Sequence, residues 1–139
     1  EYQKQWTDVV SNRLSVGMCS PFGLTAIIAA YTEGEEWLDQ ARAYIDGNIR
    51  YIESFVKENL PKAAVMDCQG TYLVWLDLNE YCSDHEKLEE LMVRKAGIVF
   101  DEGYIFGPEG NGFERINAAT QRSTVEACMN RMKAALDTL

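Results

Sequence analysis

The chain has 139 residues, of which 47% are hydrophobic and 25% are charged, and its formal net charge is −9. These values are typical of a soluble globular protein with a hydrophobic core, and they argue against a disordered chain. The acidic balance argues against nucleic acids and anionic membrane surfaces as partners, because both are bound by clustered Lys and Arg.

Two helices are predicted at the start of the chain. Apolar residues recur at helical spacing over residues 2–14 with no N-cap before them, and Gly17 is predicted to end this helix. Ser20 and Pro21 favour a new helix, with serine as the N-cap and proline in the first turn. The apolar face of this second helix spans residues 24–31, a run too short to cross a bilayer.

A long helix is predicted from Thr32 to about Leu60. Thr32 and Glu35 have the spacing of a capping box, and Pro61 ends the helix. Its apolar positions follow a 3.6-residue period: Trp37, Leu38, Ala41, Tyr44, Ile45, Ile49, Ile52, Phe55 and Val56. A helix of this size is about 40 Å long, which exceeds the need of a small domain and indicates a connection between two domains.

After residue 60 the pattern changes to short strands and helices. Ser83 and Glu86 predict the cap of one helix that ends at Gly97, and Ser123 and Glu126 predict the cap of the last helix. Val125, Met129, Met132 and Leu136 are predicted to form the inner face of that last helix. The predicted strands cover residues 63–68, 71–78, 98–100 and 113–118. The order β-β-α-β-β-α predicts an α+β fold, with helices packed on a small, mostly antiparallel sheet.

The bulky and charged residues outside these patterns are interpreted as structural. Four aromatic residues are expected in the core or at a domain interface: Trp37, Tyr44, Phe55 and Trp75. His85 is expected to be exposed in the first turn of its helix. Three acidic pairs are expected on solvated faces: Glu35/Glu36, Glu89/Glu90 and Asp101/Glu102. The last pair borders a glycine-rich loop, so an influence on substrate access is the alternative for it.

The cysteines indicate free thiols. The chain has four of them, Cys19, Cys68, Cys82 and Cys128, and no two are spaced as CxxC. With a single histidine, a metal site is not expected. Free thiols are usual in a reducing compartment, and no signal peptide opens the chain, so a cytoplasmic location is predicted.

The glycine-rich loop over residues 103–112 precedes a predicted strand that carries Arg115. Glycines let a backbone turn sharply and approach a ligand, and a guanidinium binds a carboxylate through two hydrogen bonds. Spacing alone leaves two interpretations open: a carboxylate-binding arginine, or a surface hairpin with a solvated arginine.

The segment 113–122 resembles the carboxyl-terminal signature of class I/II pyridoxal-phosphate (PLP) aminotransferases. The matching residues are an aromatic, an arginine, an aliphatic residue and an asparagine, here Phe113, Arg115, Ile116 and Asn117, with a later Arg122. The resemblance implies that Arg115 binds the α-carboxylate of an amino-acid substrate and that Arg122 is structural. Asn117 is predicted to order the loop beside Arg115 and to belong to the same substrate-binding site. Many members of the family have proline at the position of Gln121, a difference that affects the turn.

Two further segments are similar to the cystathionine β-lyase-like (C–S lyase) branch of that superfamily. One is Gly70 to Asp77, and the other is Ser20 to Leu38, which resembles the helix pair that follows the catalytic lysine. The resemblance implies that Tyr72 lies near the mouth of the active site and binds substrate. A core or interface tyrosine is the alternative.

The resemblance implies an intact homodimeric, PLP-dependent enzyme that acts on amino acids, either a C–S β-lyase or an aminotransferase. The anchoring residues of PLP are not matched in this chain, and no lysine here stands in the family's lysine motif. The chain alone is therefore predicted to be inactive and to contribute no catalytic, cofactor-binding or metal-binding residue.

Residues 1–33 are predicted to be the tail of the large cofactor-binding domain, and residues 34–139 the connecting helix and small domain. The alternative is a stand-alone α+β ligand- or protein-binding module.

Overall fold

The computed structural model describes residues 1–16 and 20–139, which form two compact units, Glu1–Gln40 and Ala41–Leu139. The predictions for Gly17 and Cys19 lie outside the described residues. These units do not test which residues belong to which domain of a larger protein, so the division at residue 33 stays a prediction.

The first unit is helical. Helix α1 (Tyr2–Thr7) continues as a π-helical segment, Asp8–Arg13, and helix α2 spans Pro21–Glu33. The Oγ of Ser20 accepts a hydrogen bond from the Gly23 N–H at 3.2 Å, which confirms the predicted N-cap. None of these helical segments contains a buried residue. Their large apolar side chains, among them Tyr2, Trp6, Phe22 and Tyr31, are exposed.

Helix α3 (Glu35–Asn59) begins and ends close to the predicted residues, but its predicted capping box is wrong. Thr32 lies inside α2, where its hydroxyl donates to the Ile28 carbonyl at 2.8 Å. A threonine hydroxyl that bonds to its own helix is not available to cap the next one. Gly34 ends α2 instead, and its N–H donates to the Ala30 carbonyl.

In the second unit, α3 buries one stripe of apolar residues. Ile49, Ile52, Phe55 and Val56 belong to the core, as their spacing predicts. Toward the start of the helix, Trp37 and Tyr44 are 72% and 51% exposed, so they are not core residues of the described chain. An interface with a further domain stays a prediction for these two residues.

The second unit is built around one antiparallel sheet, which confirms the α+β prediction. Its strands are β1 (Ala64–Val65), β2 (Leu73–Asp77), β3 (Asp101–Glu102) and β4 (Phe113–Asn117), in the order β1-β2-β4-β3. Strand β2 begins two residues later than predicted because Thr71 has a left-handed backbone, with φ of +65°.

The predicted strand over residues 98–100 is wrong, and pairing with β4 begins only at Asp101. The Ile98 N–H donates to the Met92 carbonyl at 2.9 Å, so this residue still belongs to the turn that ends a helix. That helix closes at Gly97, which has the predicted left-handed conformation.

Two helices complete the second unit, and both caps differ from prediction. Helix α4 (His85–Glu90) continues as a π-helical segment, Leu91–Ala96, and its N-cap is Asp84, whose Oδ1 accepts from the Lys87 N–H. Helix α5 spans Arg122–Leu136, and its N-cap, Gln121, makes no side-chain hydrogen bond. Ser83 and Ser123 have the spacing of a capping box, but Ser83 lies one residue before the true N-cap of α4, and Ser123 lies two residues after the true N-cap of α5. Only the backbone dihedral angles decide which residue is the cap.

One face of the sheet packs against the helices and forms the core. Val74, Leu76 and Ile116 lie on this face. The predicted inner face of α5 is confirmed, since Val125, Met129, Met132 and Leu136 are all buried. Each such side chain contributes about 1.5–3 kcal/mol through removal from water. Within residues 1–16 and 20–139, no helix has both the length and the apolar character needed to cross a membrane.

Candidate carboxylate-binding site

Arg115 lies in the middle of β4, on the sheet face opposite the core. Side chains alternate along a strand, so its neighbours Glu114 and Ile116 point to the buried face while Arg115 is on the other face. Trp75 of β2 and Asp101 of β3 are its cross-strand partners. The strand register therefore surrounds the guanidinium with an aromatic ring on one side and a carboxylate on the other.

The carboxylate of Asp101 is paired with Arg115. Its Oδ2 accepts hydrogen bonds from Nε at 3.0 Å and from Nη2 at 2.7 Å, and the two side chains are 47% and 29% exposed. Asp101 is therefore still partly solvated, but the sequence analysis did not predict its ion pair with Arg115. A pair this exposed contributes about 0–1 kcal/mol, since water screens it, so it constrains geometry more than it stabilises the fold.

Three aromatic rings support the guanidinium. Its central carbon lies 4.4 Å from the centre of the Phe106 ring, a cation–π distance. Phe106 meets Trp75 edge-on at 5.6 Å, and Trp75 stacks on Phe113 at the same distance. Arg115 is therefore held by Asp101 at one edge and by Phe106 on one face.

The glycine-rich loop brings Phe106 to this position. It folds as two 3-10 turns, Gly103–Phe106 and Pro108–Gly110. The backbones of Gly103 and Gly110 touch so closely that a Cβ on either would collide with the carbonyl oxygen of the other. This close approach explains why glycine is required at both ends of the loop.

Beside Arg115 lies an open cavity of about 450 Å³. Its other walls come from the segment that follows α4, from the end of β4 and from the first turns of α5. The lining includes Asp101, Asn117 and Thr124 as polar groups and Ile98 and Met129 as apolar ones. Among the described residues, Arg115 is the single cationic residue that lines this cavity.

The structure places the other two predicted site residues near the end of β4. Asn117 Oδ1 accepts from the Ala119 N–H at 2.9 Å, which orders the turn after the strand. Tyr72 is 45% exposed, and its carbonyl accepts from the Ala118 N–H at 2.8 Å. Both residues therefore adjoin the turn after the Arg115 strand, but neither makes a hydrogen bond to Arg115 itself.

A buried anchor of this turn was missed by the sequence analysis. Asn48 of α3 is fully buried, and its Nδ2 donates to the carbonyls of Ala118 and Thr120, both at 2.8 Å. Its Oδ1 accepts from Arg122 Nε at 2.8 Å, and the Arg122 guanidinium lies 4.9 Å from the centre of the Tyr51 ring. The sequence did contain a signal for this role, because Asn48 is a polar residue within the apolar stripe of α3. These contacts agree with a structural role for Arg122.

Glu114 was missed as well, and it is the one unsatisfied buried polar group among the described side chains. It is 1% exposed, and its Oε2 has no hydrogen-bond partner. Burial raises the pKa of its carboxyl to about 8, helped by the negative charges of Glu102, Glu89 and Asp101. Around neutral pH, Glu114 is therefore mostly protonated. It faces away from Arg115 on the core side of the sheet.

Two other sequence predictions bear on the surroundings of the site. His85 is half-buried rather than exposed, with its ring 4.6 Å from that of Tyr104, whose hydroxyl donates to Glu89.

Cys68, Cys82 and Cys128 are free thiols, as predicted. No group of three potential metal ligands is present in the described part of the chain.

A PLP cofactor does not fit the described residues of this chain on their own. PLP enzymes hold the cofactor on a lysine, and no lysine lines the Arg115 cavity. Lys87 and Lys133 pair with nearby carboxylates on their own helices, and Lys62 lies over the Tyr81 ring.

The sequence is similar to known lyases over most of its length. It is 37% identical over 124 residues to cystathionine β-lyase PatB of Bacillus subtilis, covering 89% of this chain and 32% of that protein. It is 38% identical over 112 residues to protein MalY of Escherichia coli, covering 79% of this chain and 29% of that protein. The chain thus spans about a third of the length of the curated relatives it matches. No family model matches the sequence.

Solved structures agree with these relatives. Cystalysin from Treponema denticola, whose crystal structure contains pyridoxal 5'-phosphate, matches with a TM-score of 0.85 and 37% identity, over 98% of this chain and 34% of that one. The PLP-bound C–S lyase from Staphylococcus hominis matches with a TM-score of 0.79 and 31% identity, over 91% of this chain and 34% of that one. The homologues of this chain therefore include cystathionine β-lyases and PLP-bound C–S lyases, and the chain matches about one third of the length of each of these proteins.

Proposed function

We propose that this chain is the carboxyl-terminal part of a PLP-dependent enzyme acting on amino acids, and that Arg115 binds the substrate α-carboxylate. The observation that carries the proposal is the placement of Arg115: a partly exposed guanidinium, held by Asp101 and Phe106, at an open cavity without another cation. The chain's similarity to lyases over most of its length supports the same reading.

The chemical contribution of Arg115 is binding and orientation. Two charge-assisted hydrogen bonds to a carboxylate fix both its position and its plane. A substrate held in this way has its reacting bonds in a defined direction, which lowers the entropic part of the activation barrier. Asn117 orders the turn beside this contact, and Tyr72, with its half-exposed ring, is proposed to meet the substrate from the neighbouring strand.

Between the two reactions of the superfamily, we favour the C–S β-lyase over the aminotransferase. In a β-lyase the bond between Cβ and sulfur breaks, and a thiol leaves. The support is the Gly70–Asp77 strand, which resembles the lyase branch, together with relatives that are named as lyases. The intact enzyme is proposed to be a cytoplasmic homodimer, and the 139-residue chain alone is proposed to be inactive, because no lysine lines the Arg115 cavity.

Replacing Arg115 tests the proposal in the full-length enzyme. Arg115→Ala removes two charge-assisted hydrogen bonds, worth about 2–3 kcal/mol together, so KM for amino-acid substrates should rise roughly 30- to 150-fold. Steady-state kinetics measures this change. Arg115→Lys keeps the charge but loses the planar fork, so its KM should lie between those of the wild type and the alanine variant.

Arg50→Ala is the matched control, because Arg50 is an exposed arginine in a surface ion pair with Asp46. Its kinetics should equal those of the wild type. An unchanged KM in Arg115→Ala, with Arg50→Ala behaving as expected, would remove Arg115 from the proposed role.

A stand-alone binding module is the second candidate, and the separate core of the second unit favours it. The two candidates differ in the state expected for the purified chain. The helices of the first unit expose many large apolar side chains, so a part of a larger protein should self-associate. Light scattering measures this directly: concentration-dependent growth in mass supports the enzyme part, and a monodisperse monomer supports the module.

A further inference from the structure

A second open cavity, of about 430 Å³, lies between the end of the π-helical segment Leu91–Ala96 and the last turns of α5. Three cationic residues line it, Arg94, Lys95 and Arg131, and no acidic residue of the described chain does. The whole chain has 22 acidic and 13 cationic side chains. A concave surface with positive charge alone is therefore contrary to the overall balance, and such a surface attracts anions.

The guanidinium of Arg131 is held in this cavity by the backbone. Its Nε donates to the Ala96 carbonyl at 2.8 Å, and its Nη2 donates to the Gly97 carbonyl at 2.6 Å. A side chain at residue 97 would collide with Nη2, so glycine leaves the space that the guanidinium occupies. Nη1 has no acceptor among residues 1–16 and 20–139. Arg131 is thus oriented by two hydrogen bonds and keeps a free donor group.

The other two cations also keep free donors. Lys95 Nζ donates to Thr138 Oγ1 at 3.2 Å, and an ammonium group has three hydrogens, so two of them remain available. Arg94 is exposed and makes no ion pair or hydrogen bond with any other described residue. Asp137 does not neutralise them, because it is paired with Lys133 of its own helix.

Helix capping accounts for one of the three charges. Cations are favoured at the end of a helix, where they bind the last carbonyls and complement the helix dipole. Arg131 serves this purpose by binding the carbonyls of residues 96 and 97. In the described part of the chain, the side chains of Arg94 and Lys95 bind no helix carbonyl. Their charge is in excess of what capping needs, and a bound anion would balance it.

We propose that Arg94, Lys95 and Arg131 form a binding site for a phosphate dianion, either free phosphate or the phosphate group of a small ester. A phosphate group presents at least three acceptor oxygens and up to two negative charges, which match the free donors of two guanidinium groups and one ammonium group. A carboxylate offers two oxygens and one charge, so it binds here more weakly. This cavity and the Arg115 cavity share only Gly97 among their lining residues, so the inference does not depend on the proposed function of Arg115.

The experiment titrates inorganic phosphate and acetate into the 139-residue chain at pH 8, at a protein concentration where light scattering shows a constant mass. Ionic strength is held constant because salt screens such contacts. Phosphate should produce saturable shifts of the amide NMR signals of residues 94–97 and 131, and acetate should shift them much less. Shifts without saturation, or equal affinity for the two anions, would overturn the proposal.

Glycerol phosphate identifies the source of the phosphate group. If it binds more tightly than inorganic phosphate, the site takes an ester. If it binds more weakly, the site takes free phosphate. Both orders support the site, provided that the affinity depends on the same three cations.

Arg94→Gln and Lys95→Gln should each lower the phosphate affinity about three- to tenfold, since each removes one charge close to the bound anion. Arg50→Gln is the matched control: it changes the net charge equally at an exposed arginine on α3, and its phosphate affinity should equal that of the wild type. Equal losses in all three variants would reduce the effect to net charge and overturn the site. So would a loss in Arg115→Ala without one in Arg94→Gln, because the anion would then lie in the other cavity.

The preference for a dianion has a separate test, the ratio of phosphate affinity to sulfate affinity at pH 8 and pH 5. A phosphate ester loses its second charge below about pH 6, whereas sulfate keeps both charges. Changes in the charge of the protein affect both anions and cancel in the ratio. The ratio should therefore fall several-fold from pH 8 to pH 5, and an equal ratio at both pH values would contradict a site for a dianion.

Discussion

Asn48→Ala should destabilise the second unit by about 3–5 kcal/mol. The fully buried amide serves three partners: the carbonyls of Ala118 and Thr120 and the Nε of Arg122. Removing one side of a buried hydrogen bond costs about 1–3 kcal/mol, because the other side stays desolvated and unpaired. Urea unfolding followed by circular dichroism measures the loss.

Asn59→Ala is the control for this change. Asn59 is also on α3, but its amide donates only to the Phe55 carbonyl of its own helix, so its loss should cost less than about 1 kcal/mol. Asn48→Asp refines the test, since aspartate still accepts from Arg122 but cannot donate to the two carbonyls. It should also destabilise the unit clearly. Equal stabilities of the Asn48→Ala and Asn59→Ala variants would contradict the anchoring role.

The anchor matters for the site because it holds the turn that directly follows the Arg115 strand. Ala118 is tied to Asn48 through its carbonyl and to Tyr72 through its N–H. The end of β4 is thereby connected both to the long helix and to the neighbouring strand. Loosening this turn in Asn48→Ala is expected to broaden the NMR signals of residues 115–117.

Glu114→Gln should make the chain more stable at alkaline pH, with little difference near pH 4. The folded state raises the pKa of the Glu114 carboxyl from 4.5 to about 8, mainly through burial and then through the charges of Glu102, Glu89 and Asp101. Between these two values the folded state binds more protons than the unfolded state does. The free energy of unfolding of the wild type therefore falls as pH rises from about 4.5 to 8, by at most about 1.4 kcal/mol per pH unit.

Glutamine at this position has no ionisable proton, so the variant should lack this part of the pH dependence. The expected difference in unfolding free energy is a few kcal/mol at pH 9, measured by urea denaturation at pH 5, 7 and 9. Glu126→Gln, at an exposed position of α5, controls for net charge and should follow the wild-type curve. Parallel pH profiles for the wild type and Glu114→Gln would show that Glu114 does not ionise in this range.

Much of the fold could be predicted because local patterns specify it. The apolar stripe on α3, the alternating burial along β2 and the apolar face of α5 each have one periodicity, and each of these elements appears within a few residues of its predicted position. The errors are at element ends. Thr32, Ser83 and Ser123 have the spacing of caps, but α3 begins at Glu35, and the N-caps of α4 and α5 are Asp84 and Gln121.

The site also contains some residues that the sequence predicts and others that only the structure reveals. Arg115, Asn117 and the glycine-rich loop are visible in the sequence because they form one continuous segment with a recognisable signature. Asp101 and Phe106 come from adjacent segments, but only the β3–β4 register brings the carboxylate to the guanidinium. Asn48 is about 70 residues away from the carbonyls it binds, and no local pattern encodes a contact over such a separation.

The sequence by itself determined the fold class, the resemblance to PLP-dependent lyases and the arginine proposed to bind a carboxylate, because those features depend on periodicity and on a contiguous motif. Only the tertiary structure decided which groups surround that arginine. Strand pairing placed Asp101 at its edge, the fold of the glycine-rich loop placed Phe106 on its face, and helix packing enclosed Asn48 and Glu114. These contacts join different elements of the fold, and they exist only once the core has formed.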